Sequence, residues 1–437
     1  MDNFKKFYIL PFLAAICLLA ISCTPAPEGH SAVPARDLAE VQPEAVGLST
    51  ARLGRLSGAM QGLVDDGKLA GIVTMLSRHG KVAHFETFGH QDVASSTPMA
   101  KDSIFRIYSM SKPITGAALM TLYEEGKFRL SDPLVKYIPE FAGLMVASDG
   151  GTDTTTVEKP DHPITIRELM THTAGFTYGV FSRTSVDQMY REAGVLDTNS
   201  TLRDMILKLA KIPLLYQPGT RWHYSVAVDI QGYLVEVLSG KPFDEFLKER
   251  IFDPLGMKDT GFHVPADKAS RFASLYTYGD DGALTASAAA DGYLKPATFF
   301  SGGGGLVSTA MDYMRFCQML LNGGELDGVR ILAPLTIDLM RRNHLPPDMG
   351  EQSPGSGSGF GLDFAVVLDP IRADTSRSKG TYDWAGAAGT WFWIDPEEDL
   401  IFVGMIQQFG AGRPEMKSLS ERLTYQSILK PGRTGLE

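Results

Sequence analysis

Cysteine is scarce in this chain, which has three among its 437 residues. Two of them, Cys17 and Cys23, lie near the N-terminus, so only Cys317 belongs to the body of the chain. One internal cysteine cannot form a disulfide framework or a cysteine-based metal cluster. With 44% hydrophobic residues, the chain is instead long and apolar enough to bury a large core.

A block of basic residues is also missing. Lysine and arginine number 41 against 51 aspartate and glutamate residues, which gives a net charge of −10 at pH 7. This charge argues against binding to nucleic acid and against a polybasic attachment to membranes. A small partner that is neutral or cationic fits the charge better.

One apolar run, FYILPFLAAICLLA, follows Lys5 and Lys6 at the N-terminus. It is too short for a stable membrane span and is typical of a secretory signal peptide, here residues 1–22. Its end, LAISC, resembles the lipobox of bacterial lipoproteins, so we expect Cys23 to be lipidated; a plain signal peptide with an incidental cysteine is the alternative. We therefore predict a cell-envelope protein that faces the periplasm, or a secreted one. Residues 23–44 contain several prolines and are predicted to be a flexible tether.

Hydrophobic periodicity predicts one α+β domain over residues 45–430. Apolar residues at helical spacing after Ser49 predict a helix, and GIVTMLSRHGKVAHFETF predicts two strands around a turn. Strand patterns return in GLDFAVVLD, GTWFWID and DLIFVGMIQQF, and SERLTYQSILK is predicted to be a closing helix. We expect an antiparallel sheet, flanked by helices, from both chain ends (about residues 45–115 and 290–430), with a mainly helical part, residues 116–289, inserted between them.

Several common catalytic motifs are absent. No G-x-S-x-G occurs, which excludes the nucleophile elbow of an α/β-hydrolase, and no H-E-x-x-H or paired-cysteine pattern supports a catalytic zinc. QGLVDDGKLA is not a phosphate loop, because Leu69 replaces the required Ser or Thr. His172, beside a helix end, is more typical of a structural hydrogen-bonding residue than of a catalytic base. The glycine-rich SGGGGLVSTA, residues 301–310, lacks the spacing of a nucleotide fingerprint and indicates a close approach of backbones.

Three Ser-x-x-Lys matches are present: SMSK at Ser109, SRSK at Ser376 and SILK at Ser427. Spacing alone does not separate them, because a chain of this length should contain roughly one such match by chance. SRSK lies in a polar loop pattern, and SILK has nothing around it to shape a site. Ser109 begins a helix with an apolar interior, where helix amides concentrate positive potential, and Lys112 returns on the same face one turn later. Taken alone, the pair could still be a helix-capping serine and a lysine that reaches solvent.

The segments around this pair resemble the serine β-lactamase and penicillin-binding protein superfamily, in the branch of class C β-lactamases and family VIII carboxylesterases. They occur in family order and cover about residues 42–430: FRIYSMSKPITGAALMTLYEEGKFRLSDPLVKYIPEF, TIRELMTHTAGF, YQPGTRWHYS, FDPLGMKDTGF and SGGGGLVSTAMDYMRF. The resemblance implies that Ser109 is the acylated nucleophile and Lys112 its base or proton relay. It implies that Tyr224, at the family's Tyr-x-Asn position, exchanges a proton with Lys112. It also implies an oxyanion hole formed by the amides of Ser109 and Ala387.

Two departures from the family motifs bear on the substrate. Val226 replaces the Asn that binds the acylamino side chain of a β-lactam. Trp384-Ala385-Gly386 replaces Lys-Thr-Gly, as W-x-G does in family VIII esterases, so the cation that would hold a β-lactam carboxylate is absent. We therefore expect uncharged esters, with Trp384, Gly386 and Val226 at the substrate site. Asp229 either orients the polar network or is a charge on a helix face.

The sequence thus predicts a serine hydrolase that cleaves small-molecule carboxylic esters through an acyl-enzyme, and it implies no metal and no organic cofactor. The first alternative is a β-lactamase, or a D-amino-acid peptidase or amidase, with the same nucleophile. The second is a non-catalytic protein that binds β-lactams or cell-wall peptides. The intact set of Ser109, Lys112 and Tyr224 argues against the second, because a binding protein need not keep all three.

Overall fold

The computed structural model describes most of the chain beyond the predicted signal peptide, namely residues 38–148, 150–151, 156–279, 283–287, 292–346, 349, 354–410 and 413–432. The predicted signal peptide, the predicted lipidation site Cys23 and residues 24–37 of the predicted tether lie outside the described residues. Within the described ranges, no helix is long and apolar enough to cross a membrane.

The described chain contains a run of consecutive helices in its middle and a run of consecutive strands near its C-terminal end, and several 3₁₀ turns connect the elements. In the described residues the helices are α1 (Thr50–Asp65), α2 (Ser111–Glu124), α3 (Ile166–Met170), α4 (Ser185–Glu192), α5 (Leu202–Leu209), α6 (Ala227–Ser239), α7 (Phe243–Leu247), α8 (Asp253–Leu255), α9 (Ala310–Leu321), α10 (Pro334–Met340) and α11 (Met416–Tyr425). The strands are β1 (Gly71–Arg78), β2 (Lys81–Asp92), β3 (Thr97–Pro98), β4 (Phe105–Arg106), β5 (Val146–Ala147), β6 (Val157–Glu158), β7 (Tyr276–Tyr278), β8 (Leu284–Ala286), β9 (Val307–Ser308), β10 (Glu325–Leu326), β11 (Val329–Arg330), β12 (Ser358–Phe360), β13 (Ala365–Val367), β14 (Tyr382–Ala385), β15 (Trp391–Asp395), β16 (Leu400–Met405) and β17 (Gln408–Phe409).

An antiparallel sheet from both chain ends forms the centre of the fold. Among the described residues it has eight strands in the spatial order β12-β13-β14-β15-β16-β1-β2-β3. The two chain ends meet where β1 pairs with β16, so that Val73 lies opposite Met405 and Arg78 opposite Leu400. This arrangement is the antiparallel sheet predicted from the two sets of strand patterns.

Two apolar cores lie on opposite faces of this sheet. Ile72 and Leu76 of β1 belong to the smaller core, together with residues of α1 and α11. Val73 and Met75 belong to the larger core, which contains residues of α2, α6 and α9. Successive residues of a strand face opposite sides, and all eight residues of β1 are buried. The helices therefore cover both faces of the sheet.

Helix α2 runs through the larger core and sets the position of Ser109. All residues from Ser111 to Leu122 are buried, and α2 packs against α6. Its two alanines and two leucines favour a helix, and their side chains carry no polar group into the core. Pro113 stands in the first turn, where a helix does not need the missing amide donor. The enclosed helix therefore holds the turn that precedes it in a defined place.

The predicted tether extends too far along the chain. Residues 38–44 already belong to the fold, because Leu38 is buried and its amide donates to the carbonyl of Gly80. Glu40 also pairs with Val82 in a parallel bridge. These residues lie alongside the hairpin of β1 and β2. Its backbone provides hydrogen-bond partners that cannot be predicted from the proline-rich composition of the segment.

Two further predictions needed correction in detail. The segment predicted to be mainly helical, residues 116–289, contains α3 to α8 but also the short strands β5, β6, β7 and β8, and β7 pairs in parallel with β17 near the C-terminus. The predicted closing helix begins earlier and ends at Tyr425, so Ser427 lies beyond it. Both differences depend on contacts between segments distant in sequence, which override local pattern.

Candidate active site

Ser109 lies in the 3₁₀ turn Tyr108–Met110, immediately before α2. Tyr108 has a φ of 42°, in a region that non-glycine residues rarely occupy and that is often found at functional sites. The amide of Ile107 donates to the carbonyl of Leu306 (3.0 Å), just before β9. This contact brings the glycine-rich segment against the turn that carries Ser109.

The ammonium group of Lys112 lies inside the protein, beside Ser109. The Lys112 side chain is fully buried. Its Nζ donates to the carbonyl of Gly303 (2.6 Å), to the hydroxyl of Tyr178 (3.2 Å) and to Oγ of Ser109 (3.3 Å). A lysine ammonium has three donors, and these three acceptors use all of them. Lys112 is therefore not the solvent-reaching lysine considered from the sequence.

Tyr224 approaches the same serine from the other side. Its hydroxyl donates to Oγ of Ser109 at 2.7 Å, and Nζ of Lys112 lies 4.6 Å from the centroid of its ring. His172 supports this ring at a centroid distance of 4.9 Å. Burial lowers the pKa of His172 well below its usual value, and its Nδ1 accepts from the amide of Ser225. The geometry thus favours the structural role expected for His172.

Tyr178 is a site residue that the sequence did not reveal. Its hydroxyl accepts from Nζ of Lys112, and its ring lies 5.3 Å from that of Tyr224. Burial raises the pKa of Tyr178 well above its usual value, and the nearby Asp229 and Tyr224 raise it further. The phenol therefore stays protonated. Nothing local distinguishes Tyr178 among the fifteen tyrosines of the chain.

Asp229, on α6, is fully buried and belongs to the same group of contacts as Lys112. Its Oδ1 accepts from Oγ of Ser301 and from the amide of Gly303 at 3.0 Å. Burial raises the pKa of Asp229, and the charge of Lys112 opposes this shift. Because the carbonyl of Gly303 is an acceptor for Lys112, Asp229 orients the lysine through Gly303. The alternative of a charge on an exposed helix face is excluded by its burial.

The turn between β14 and β15 brings Gly386 and Ala387 beside Ser109. A Cβ atom on Gly386 would lie 2.4 Å from the carbonyl oxygen of Ile107, so only glycine permits this close approach. The carbonyl of Ala387 accepts from Arg413 at 2.9 Å. Ala387 and Ser109 line the same cavity, which is the arrangement needed if their amides are to face one oxyanion. Gly386 itself is a packing residue and offers little surface to a substrate.

Trp384, at the end of β14, contributes an aromatic wall on the Tyr224 side of Ser109. Its ring lies 5.6 Å from that of Tyr224 and meets Phe360 edge-on at 5.5 Å. The ring of Trp222 stacks against that of Tyr224 at a centroid distance of 6.2 Å. Such contacts are favourable beyond the apolar area they bury. The wall is partly exposed and could contact a bound ester.

Val226 is not placed as predicted. It has no exposed surface and belongs to the larger apolar core, and its amide donates to the carbonyl of Thr177. A side chain with no exposed surface cannot touch a substrate, so Val226 is a core residue at the start of α6. The motif position was read from the sequence, but the direction of the side chain depends on packing.

The other two Ser-x-x-Lys matches do not form a buried pair. Ser376 and Lys379 are both exposed. Ser427 is buried and donates to the carbonyl of Thr424 at 2.6 Å, whereas Lys430 is exposed. Only the match at Ser109 therefore joins its serine and lysine in one enclosed cluster.

A cavity of about 630 Å³ opens beside Ser109. Its described lining includes the turn residues Tyr108 and Ala387 and the glycine-rich segment, and the apolar side chains around it are Tyr108, Phe181, Leu196, Phe262, Tyr293 and Phe299. In the part of the chain that the structure describes, no group of three or more His, Cys, Asp or Glu side chains is placed to hold a metal ion.

A serine in contact with a buried lysine and a phenol, beside the turn that carries Ala387, is an arrangement of side chains expected in a serine hydrolase. The match of residues 56–425 to the family model described as Beta-lactamase shows that the chain belongs to the Beta-lactamase family. The predicted serine β-lactamase and penicillin-binding protein superfamily and its α+β fold are thereby confirmed.

Similar proteins include esterases of this superfamily. The chain is 37% identical over 351 residues to Protein Rv1367c of Mycobacterium tuberculosis, covering 78% of this chain and 87% of that protein. It is 31% identical over 379 residues to Esterase EstB of Burkholderia gladioli, covering 81% and 90%. The solved structure of EstCE1, described as a hydrolase with promiscuous acyltransferase activity, is 27% identical with a TM-score of 0.75, covering 86% and 99%. These matches support the predicted proximity to family VIII esterases.

Proposed function

We propose that this protein hydrolyses uncharged carboxylic esters through an acyl-enzyme on Ser109. The observation that carries the proposal is the meeting of three side chains, in which Oγ of Ser109 lies 2.7 Å from the hydroxyl of Tyr224 and 3.3 Å from Nζ of Lys112. A serine needs a neighbouring base to become a nucleophile. Lys112 and Tyr224 lie within reach for that role.

Acylation starts from the form in which the pair of Lys112 and Tyr224 holds one proton fewer than a full ammonium and phenol. Oγ of Ser109 gives its proton to this pair and attacks the ester carbonyl carbon. The oxyanion of the tetrahedral intermediate accepts hydrogen bonds from the amides of Ser109 and Ala387, a contact worth about 3 to 4 kcal/mol for each donor. The bond from carbon to the alcohol oxygen then breaks. The departing alcohol takes a proton from Tyr224.

Deacylation repeats these steps with water. A water molecule gives a proton to the same pair and attacks the acyl carbon, and Oγ of Ser109 leaves and regains its proton. Asp229 and Tyr178 take no part in bond breaking. They hold Lys112 toward Ser109, one through Gly303 and the other directly.

The choice of esters over β-lactams rests on Trp384. An indole stands where a lysine would bind a β-lactam carboxylate, so a charged substrate loses that ion pair. The partly exposed ring can instead pack against an apolar group of an uncharged ester. The similarity to Esterase EstB supports this substrate class.

The decisive experiment compares short p-nitrophenyl esters with a chromogenic cephalosporin, using the mature protein and the Ser109→Ala variant. We expect ester turnover to fall by more than about a thousandfold in Ser109→Ala, with a mass increase of one acyl group on the wild-type protein at short reaction times. Ser376→Ala is the matched control, because that serine also begins a Ser-x-x-Lys match but is exposed.

Three other outcomes are informative. Undiminished ester turnover in Ser109→Ala would contradict the mechanism. Cephalosporin turnover far above ester turnover would keep the mechanism and replace the substrate class with β-lactams. Stable acylation without turnover would indicate a binding protein.

We also propose that the mature protein is anchored to the cell envelope by a lipid on Cys23. The proposal rests on LAISC, which places a cysteine directly after an apolar signal segment. After detergent phase separation of a lysate from cells that express the full chain, we expect the wild-type protein in the detergent phase. The Cys23→Ser variant should instead be found in the aqueous phase. Equal partitioning of both proteins would contradict lipidation.

A further inference from the structure

The four glycines of the SGGGG segment are not equivalent. A Cβ atom would lie 2.6 Å from the carbonyl oxygen of Val228 if placed on Gly302, and 2.6 Å from the carboxylate of Asp229 if placed on Gly303. On Gly305 it would lie 2.9 Å from a backbone oxygen. These three positions require glycine because nothing larger fits, in agreement with the close backbone approach expected from the sequence.

Gly304 is different, because packing does not require a glycine there. The atom nearest to its Cβ position is 3.8 Å away, in the backbone of Tyr108, which is ordinary van der Waals contact. Gly304 does not have a positive φ, so its backbone conformation is open to other residues. It lines the cavity beside Ser109 and is partly exposed to it. A side chain at this position would therefore occupy the cavity.

The chemistry of the cavity lining points to an apolar occupant. The described side chains around it are mostly aromatic or aliphatic, and Lys295 is the one charged residue among them. Lys295 is exposed, so its ammonium group can remain in water. A volume of about 630 Å³ lies within the range of sites that enclose a drug-sized molecule. An acetyl group would leave most of this space unfilled.

The position of Tyr224 indicates which half of an ester enters the cavity. In the proposed mechanism the departing alcohol takes its proton from Tyr224, so the alcohol lies on that side of Ser109. Tyr224, Trp222 and Trp384 are not part of the described cavity lining. The substituent that extends from Ser109 away from Tyr224 is therefore the acyl group.

From this geometry we propose that the cavity is the acyl subsite, that it takes a bulky apolar acyl group of about six to ten carbons, and that Gly304 determines the acyl size. This proposal rests on the proposed esterase function and names its substrate class. The absence of a side chain at position 304 keeps the cavity continuous up to the nucleophile.

The test compares the kcat/KM values of wild type and Gly304→Leu on p-nitrophenyl acetate and octanoate. We expect wild type to prefer octanoate. The leucine should reduce kcat/KM for octanoate by at least about tenfold and change that for acetate by no more than about threefold, because only the long acyl chain needs the space that the leucine fills. Gly58→Leu is the matched control: Gly58 is exposed on α1 with nothing within 4 Å of its Cβ position. In a second ester series the acyl group is fixed and the alcohol is lengthened. There kcat/KM should change with alcohol length in the same way for wild type and Gly304→Leu.

The outcomes separate this proposal from the esterase function itself. Ester turnover that depends on Ser109, but is fastest on acetate or is reduced equally for both esters by Gly304→Leu, would contradict the acyl subsite alone. If esters are not turned over, labelling of Ser109 by methyl and octyl phosphonates gives a readout without turnover. Absence of Ser109 labelling by either would contradict both proposals, whereas octyl labelling that Gly304→Leu selectively slows supports the subsite.

Discussion

Two buried clusters of charged residues, one within the active site around Lys112 and one at β14, differ in how their charges are balanced. In the cluster around Lys112, no carboxylate of the described residues pairs directly with Nζ, whose acceptors are a carbonyl, a phenol and a hydroxyl. In the cluster at β14, Asp383 forms ion pairs with both Arg377 and Lys417, and Glu421 also pairs with Arg377 at 3.0 Å. One cluster leaves its lysine beside a serine, while the other neutralises its charges locally.

The pKa values of the buried carboxyl groups record the same difference. Burial raises the pKa of Asp229, and it raises that of Asp363 well above the usual value, with Lys112 opposing in both cases. Burial also acts to raise the pKa of Asp383, but Lys417 and Arg377 outweigh it and the net shift is downward. A buried charge is stable only when paired. The comparison thus separates a cluster suited to proton transfer from one that holds β14 in place.

The largest expected effect comes from removing the amine of Lys112, the proposed base for Ser109. Lys112→Met should reduce kcat for p-nitrophenyl butyrate by at least about a thousandfold, because Ser109 loses the base within its reach, while the fold is retained by the apolar methionine side chain. Steady-state kinetics and a melting curve check both points. Lys379→Met, in the exposed match at Ser376, should leave kcat unchanged; an equal loss there would contradict the assignment.

The second effect is on stability and concerns the paired cluster. Asp383→Asn should lower the free energy of unfolding by about 3 kcal/mol at pH 7, because it removes the buried carboxylate shared by Arg377 and Lys417 and leaves Glu421 as the remaining partner of Arg377. The pKa of Asp383 is lowered in the folded state, so its contribution is present above about pH 4 and is lost as pH falls through the folded-state pKa. Urea unfolding of both proteins at several pH values measures this difference, which should shrink toward acid.

Asp363→Asn is the matched control for that change. Its carboxyl accepts from Gln231 at 3.0 Å, and asparagine keeps this acceptor. Because burial raises the pKa of Asp363 in the folded state, its stabilising contribution is present at low pH and is lost as pH rises. The variant should therefore stay within about 1 kcal/mol of wild type in acid and gain relative stability as pH rises. If Asp363→Asn and Asp383→Asn lowered the free energy of unfolding equally at pH 7, the distinction between the two clusters would be contradicted.

The smallest effect is expected from Tyr178, a positioning residue. Tyr178→Phe removes one of three acceptors of Lys112, and we expect kcat to fall by about tenfold with KM nearly unchanged. A shifted pH profile of kcat would distinguish a role through Lys112 from a merely structural one. If kcat and its pH profile both match wild type, Tyr178 does not act on the lysine.

Much of the fold could be predicted from local pattern. Apolar spacing after Ser49 predicted α1, and Ser49 does cap it by accepting from the amide of Arg52. The strand patterns at both chain ends predicted the sheet. The end of the tether and strand β7 could not be predicted, because each is defined by a partner far away in sequence.

At the site, recognisable motifs predicted Ser109, Lys112 and Tyr224, which the structure brings together. Tyr178 was missed because a tyrosine has no local mark of its tertiary neighbours. Val226 was misplaced for the same reason, since the direction of its side chain is decided by core packing.

The sequence by itself determined the family and the antiparallel sheet and indicated Ser109 as the candidate nucleophile, because these depend on residue types and on the order of recognisable motifs. Only the tertiary structure decided which Ser-x-x-Lys match is enclosed, which acceptors Lys112 finds and which glycine of SGGGG faces open space. The physical reason is that desolvation and hydrogen bonding act between residues that meet only after folding, such as Lys112 and Gly303.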